Sequence, residues 1–244
     1  MHNINKTATI TPYLVEKTTN KLRPAILILP GGSYLYTSKR EGRPVATAFN
    51  NAGIHSFVLD YTTFTKNEDI TVEEMIQEVN KAYNYIIGKS KEFQVDVNKI
   101  YIIGFSAGGH LAAEVINRYP NHYKKAILSY PALKINIKTD RTDKEVDFVR
   151  KAFKNNPTNQ LTNKVPPVFI WHTYEDETVP IEGSIEYVLK LNELKVPFEA
   201  HFFEKGAHGL SVATEVTATE ENERMDLHAA NWVMLASNWS LRND

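Results

Sequence analysis

Short apolar runs alternate with longer stretches of helical period along this chain. The runs lie at residues 25–29, 55–61, 100–103, 126–130, 168–171 and 198–203. They are rich in β-branched and aromatic residues. Pro30-Gly31-Gly32 closes the first, Gly104 the third and Pro131 the fourth, and Pro166-Pro167 precedes the fifth. Apolar runs without alternation mark strands buried on both faces, as in the middle of a parallel sheet. Residues 1–20 hold a weaker alternation through Ala8, Ile10 and Tyr13-Leu14-Val15, which predicts antiparallel edge strands.

Helical spacing fills the gaps. Val72, Met75, Ile76, Val79, Tyr83, Ile86 and Ile87 define one helix, and Thr71 with Glu74 supplies a capping-box start. Leu111, Ala112, Val115 and Ile116 define a helix beginning near Ser106. Ile181, Ile185, Val188 and Leu189 define another, with Pro180 expected in its first turn. Ala229, Trp232, Val233, Ala236 and Trp239 mark a closing helix, whose two tryptophans suit a core or an interface. Strand–helix alternation of this kind predicts an α/β fold with helices on both faces of a mostly parallel sheet. Residues 133–165 break the rhythm. They are polar, contain Asn155-Asn156-Pro157, and offer only Phe148, Val149, Ala152 and Phe153 for a short helix. This segment is read as a small cap over a sheet edge.

Composition narrows the chemistry. The chain of 244 residues has 42% apolar and 23% charged positions, enough for a sizeable core without staples. It has no cysteine, which excludes a thiol nucleophile, a cysteine zinc site and disulfides. Lys and Arg number 28 against 29 Asp and Glu, a net charge of −1, so no basic surplus points to nucleic acid. Residues 1–20 lack a charged region followed by an apolar stretch, and no window approaches a membrane span. The expectation is a cytoplasmic protein with no membrane partner.

Gly104-Phe105-Ser106-Ala107-Gly108 follows a strand run and precedes a helical pattern. In that setting G-x-S-x-G places a serine on a strained strand-to-helix turn. Small residues are needed two positions to either side, where the chain crowds itself. The turn lifts the Ser106 hydroxyl over the sheet edge and aims the Ala107 N–H at an oxyanion. Pro30-Gly31-Gly32-Ser33-Tyr34 follows the run at 25–29, where the N–H groups of Gly32 and Ser33 would complete the hole.

A nucleophilic serine needs a base, and the base an orienting acid. Among eight histidines, His208 stands in Gly206-Ala207-His208-Gly209, just past the run at 198–203. His110 lies one turn beyond Ser106 and is read as a packing or hydrogen-bonding residue, and His172 as shaping the acid loop. That loop carries Glu175, Asp176 and Glu177. Asp176 is the preferred acid, although spacing leaves Glu175 open. His172 with Glu175 and Asp176 is too small a set for a metal, so no metal or cofactor is expected.

Taken together, these residues resemble the α/β-hydrolase superfamily. The closest likeness is to small bacterial carboxylesterases and acetyl-xylan-esterase-like hydrolases related to the hormone-sensitive-lipase branch. The resemblance runs from about residue 24 to 240. It rests on Pro30 to Tyr34, Ser38-Lys39-Arg40-Glu41, Gly104 to Leu111, Pro166 to Pro180, and Gly206 to Gly209. Pro30 stands where many relatives have histidine. The resemblance implies Ser106 as nucleophile, Asp176 as acid and His208 as base, with Gly32, Ser33 and Ala107 as oxyanion donors. It implies a cofactor-free serine esterase acting on a small-molecule ester, with a short acyl group such as acetyl on a sugar. A peptidase or amidase on the same scaffold, and a non-catalytic binding protein, are the alternatives. Because the site draws on residues 30–208, residues 1–244 are expected to form one domain. The oligomeric state is left open, a homodimer included.

Overall fold

Burial on both faces explains why the central runs do not alternate. In the strand Arg23–Leu29, Ala25, Leu27 and Leu29 enter one apolar cluster while Ile26 and Ile28 enter the other. The computed structural model describes residues 1–16, 21–136, 141–219 and 224–242. Eight strands form one sheet: β1 (His2–Asn3), β2 (Thr9–Tyr13), β3 (Arg23–Leu29), β4 (His55–Asp60), β5 (Val95–Phe105), β6 (Lys125–Ser129), β7 (Val168–Thr173) and β8 (Phe198–Phe203). Their order is β1-β2-β4-β3-β5-β6-β7-β8. The pairs β1–β2 and β2–β4 are antiparallel, and the remaining neighbours are parallel. The α/β architecture and the antiparallel edge are those read from the sequence. Residues 17–20 of the edge stretch lie outside the described residues.

Among the described residues there are seven α-helices: α1 (Arg43–Asn51), α2 (Val72–Gly88), α3 (Ser90–Phe93), α4 (Ala107–Arg118), α5 (Asp143–Ala152), α6 (Glu182–Glu193) and α7 (Trp232–Leu241). Met75, Ile76 and Val79 of α2, Leu111 and Val115 of α4, and Tyr187 and Leu191 of α6 pack on one face. Val45, Ala46 and Phe49 of α1 share the other with Trp232, Ala236 and Trp239 of α7, so both tryptophans belong to the core. The hydrophobic pattern left α1 unassigned because it turns only three apolar side chains inward and carries Pro44 in its first turn. Pro180 does not open α6. It stands just ahead of the helix, its carbonyl accepting from Gly183 N–H at 3.2 Å in a turn that leads into α6 at Glu182.

The parallel strands direct their C-terminal ends to one edge, where β3, β5, β7 and β8 each release a loop. The segment 133–165 passes over this region, although its residues 137–140 lie outside the described residues. Helix α5 begins with a capping box of Thr142 and Glu145, and Phe148 packs on Phe64 at 5.0 Å. Phe153 packs on Tyr34 at 5.1 Å and on His110 at 4.9 Å. Among the described residues no helix is long and apolar enough to cross a membrane.

The capping box of α2 is formed as the sequence predicts, with the Thr71 hydroxyl accepting from Glu74 N–H and the Glu74 carboxylate accepting from Thr71 N–H. Thr71→Ala is expected to lower unfolding free energy by about 1 kcal/mol, measured by urea denaturation.

Candidate active site

The backbone at Ser106 adopts φ 51° and ψ −118°, outside the regions that a side chain ordinarily tolerates. Three hydrogen bonds fix it. Ser106 N–H donates to the Ser129 carbonyl at 3.0 Å, and the Ser106 carbonyl accepts from His110 N–H and Ala132 N–H, each at 3.0 Å. The crowding inferred from the sequence is present. A Cβ at Gly104 would stand 2.0 Å from the Gly108 carbonyl oxygen, and one at Gly108 would stand 2.1 Å from that of Leu29. The strand end, the helix start and the neighbouring β3 therefore meet with no room for a side chain.

This turn leaves the Ser106 hydroxyl facing His208. The Nε2 of His208 is 2.8 Å from Ser106 Oγ, and its Nδ1 is 2.6 Å from Asp176 Oδ2. An ionised carboxylate only accepts, so Nδ1–H donates to Asp176 and Nε2 is left to accept from the serine hydroxyl. The His208 side chain keeps 17% exposure while that of Asp176 is fully buried. Asp176 lies just after β7, Ser106 just after β5 and His208 on the loop after β8.

Asp176 is held by more than the base. Its Oδ1 accepts from Thr178 N–H at 3.0 Å and Val179 N–H at 2.8 Å, and Oδ2 also accepts from His172 Nε2–H at 3.1 Å. The same His172 nitrogen shares its proton with the Val179 carbonyl at 3.0 Å, and Nδ1 accepts from the Ser184 hydroxyl at 2.8 Å. Burial alone would raise the carboxyl's pKa. Hydrogen bonds from His172 and His208, the charge of His208 and the Val179 N–H outweigh it, holding Asp176 below the usual carboxylate range. Glu175 is turned elsewhere, to Lys205 Nζ at 2.7 Å and Gly206 N–H at 3.2 Å, and Glu177 faces solvent. The geometry thus brings Asp176 to His208 and takes Glu175 away from it.

The loop after β3 abuts the serine. A Cβ at Gly31 would come within 2.8 Å of Ser106 Cβ, and Gly31 N–H donates to Glu41 Oε2 at 2.7 Å. Gly32, Ser33 and Tyr34 all have positive φ, at 130°, 57° and 63°. Leu35 N–H and Tyr36 N–H close onto the Gly32 carbonyl. Among the described residues, the N–H groups of Gly32 and Ser33 stay outside this network. Ala107 is the first residue of α4, whose leading N–H groups have no acceptor within the helix. Ala107 thus adjoins Ser106 at the helix start, and Gly31, which precedes Gly32 and Ser33, abuts it. The Ser33 hydroxyl itself accepts from Arg141 Nη2 at 2.8 Å, so the 133–165 segment reaches this loop.

His110 joins the same segment to the loop. Its Nε2–H donates to the Asn155 carbonyl at 3.0 Å, and Nδ1 accepts from the Tyr34 hydroxyl at 2.8 Å. Burial pushes its pKa down to about 4, against the bond to Asn155, so it is neutral at pH 7. Tyr130 was not singled out by the sequence, and its ring lies edge-on to the His208 imidazole at 5.2 Å. The available signal is its place as the last residue of the run 126–130, at the same sheet edge as the serine. A cavity of about 670 Å³ between α2, α4 and α5 is lined by Glu114, Phe64 and Phe148 and by none of the three candidate triad residues. Among the described residues, no group of three or more His, Asp or Glu side chains is placed to hold a metal.

Comparison with known proteins bears on the family and the fold. The Prolyl oligopeptidase family model matches residues 76–232, and the BD-FAE model matches residues 12–123. The chain is 32% identical over 221 residues to endo-1,4-beta-xylanase B of Butyrivibrio fibrisolvens, covering 79% of this chain and 33% of that protein. It is 24% identical over 203 residues to an acetylxylan esterase of Xylanibacter ruminicola, covering 78% and 42%. The chain therefore spans less than half the length of these curated relatives. Among solved structures, a sugar hydrolase from Lactococcus lactis is 35% identical with a TM-score of 0.86, covering 97% of this chain and 94% of that one. A carboxylesterase from Lactobacillus plantarum is 28% identical with a TM-score of 0.84, covering 96% and 94%.

The lowered pKa of Asp176 gives a signed prediction. The folded state favours the ionised carboxylate, so its contribution to stability is full above the ordinary value of 3.8 and is lost as pH falls through the depressed one. Asp176→Asn is expected to unfold more easily than the parent at pH 7. The gap should close as the solution is acidified below about 3, read by denaturant midpoints across pH.

Proposed function

Since the chain belongs to the α/β-hydrolase superfamily, as a carboxylesterase- and acetylxylan-esterase-like member, we propose that it is a serine esterase working through an acyl-enzyme. The observation that carries this reading is the continuous path from Ser106 Oγ through His208 to Asp176, at 2.8 and 2.6 Å. In it, His208 Nε2 takes the Ser106 proton as the oxygen attacks an ester carbonyl. Asp176 fixes the tautomer of His208 and stabilises the imidazolium that forms. The N–H groups of Gly32, Ser33 and Ala107 receive the negative charge on the carbonyl oxygen, each such donor being worth about 3 kcal/mol. The tetrahedral intermediate collapses, His208 returns the proton to the departing alkoxide, and the alcohol leaves. Water enters, gives a proton to His208 and attacks the acyl-enzyme carbonyl. The acid is released and Ser106 is regenerated.

The proposed substrate is a short-acyl ester, acetyl on a sugar foremost. The likeness to an acetylxylan esterase supports this choice. The catalytic unit would comprise residues 1–244 as one domain, because the site takes its parts from Gly32 to His208. A second reading, an amidase or peptidase, draws on the match to the Prolyl oligopeptidase family model. It would use the same residues, with His208 protonating an amine.

A p-nitrophenyl ester series separates these readings. The expected order of kcat/KM is acetate and propionate above hexanoate and octanoate. Ser106→Ala should lower kcat by about 10⁴-fold or more. An optimum at eight carbons or longer contradicts the short-acyl proposal. Faster turnover of aminoacyl anilides than of any ester favours the amidase.

A further inference from the structure

Two adjacent residues, Arg40 and Glu41, touch both halves of the proposed site without touching its reacting atoms. They end a single 3-10 turn, Lys39–Glu41, and Glu41 is only 3% exposed. One oxygen of the Glu41 carboxylate accepts from Gly31 N–H at 2.7 Å, at the root of the oxyanion loop. The other accepts from the Tyr130 hydroxyl at 2.6 Å. The Tyr130 oxygen in turn accepts from Ser211 N–H at 2.9 Å, three residues beyond His208. The ring of Tyr130 meets the His208 imidazole edge-on. Arg40 grips the same loop from its other side. Its guanidinium donates to the Gly209 carbonyl at 2.8 Å and to the Thr217 carbonyl, and its own carbonyl accepts from the Ser211 hydroxyl at 2.6 Å.

We propose that Glu41, supported by Arg40, is a positioning residue. It sets the oxyanion loop and the His208 loop at a fixed separation around Ser106, and the proposal rests on the serine esterase reading above. A carboxylate is suited to this place because it offers an acceptor on each oxygen, and the two donors it must hold belong to different loops. Bonds from neutral donors to an ionised acceptor are about twice as strong as neutral pairs. A buried carboxylate is costly to desolvate, which makes simple stability a poor account of its presence. A loop displaced by 1 Å at such a site costs on the order of 10²-fold in rate.

The test compares two buried carboxylates. Glu78 is also 3% exposed and also accepts from a backbone N–H, that of Thr62 at 2.8 Å, but it bonds to Asn5 and Thr62 near the antiparallel edge. Glu41→Gln leaves one acceptor where two stood and opposes an amide N–H to a donor. Expected is a fall in kcat of about tenfold or more with KM within about threefold of the parent. Glu78→Gln lowers the melting temperature with kcat per folded molecule unchanged. Tyr130→Phe keeps the Gly31 contact and cuts the tie to Ser211. It carries the test should Glu41→Gln fail to fold, with kcat expected to fall about threefold or more. A smaller loss in either Glu41→Gln or Tyr130→Phe, or an equal loss in Glu78→Gln, overturns the positioning role. A parent inert towards every ester overturns the esterase reading and this proposal with it. An active parent with an unimpaired Glu41→Gln overturns the positioning role alone.

Discussion

The turn at Ser106 is a place where backbone meets backbone with no side chain between. Gly104 lies against the Gly108 carbonyl, and Gly108 lies against the carbonyls of Leu29 and Pro30. That three-way contact joins the end of β5, the start of α4 and the exit of β3. It also forces Ser106 into a conformation that costs on the order of 1–3 kcal/mol. Hydrogen bonds to Ser129 of β6, His110 of α4 and Ala132 beyond β6 offset the strain. The loop after β3 and the start of α4 take their position from this one. The loop after β3 can reach the serine only because Gly31 adds no Cβ, and the N–H of Ala107 has no acceptor within the helix because the helix begins there.

Around that strained point the polar groups are arranged as a chain of fixed acceptors. Asp176 is held by two backbone N–H groups and by His172, and the bond to His208 Nδ1 completes its set. Glu41 plays a comparable part for the loops, with an oxygen for each. The His110 contacts to Tyr34 and Asn155 extend the order into the 133–165 segment. Preorganised donors and acceptors of this sort need little rearrangement when charge develops.

Much of this was legible in the sequence because it depends on local spacing. Runs buried on both faces announced β3 to β7, and Thr71 with Glu74 announced the start of α2. The glycines around Ser106 carried the turn itself, since the contact of Gly104 with Gly108 arises within five residues. Helix α1 was hidden because its inward stripe is only Val45, Ala46 and Phe49. The choice between Asp176 and Glu175 was not settled by spacing. It depends on Lys205 and Gly206, about thirty positions away, which engage Glu175. The contacts of Glu41 and Tyr130 were hidden for the same reason, although both residues stand in stretches the sequence marks: their partners lie 10 to 89 residues apart in the chain. Contacts set by sheet topology leave no periodic trace.

The central claim is that Ser106 is the nucleophile, made reactive by its turn and by His208. A fluorophosphonate probe followed by peptide mass spectrometry tests it most directly. The account predicts a single phosphonylated residue, Ser106, with labelling abolished in Ser106→Ala and strongly slowed in His208→Ala. Labelling that persists in Ser106→Ala, or a parent that does not react, would contradict it.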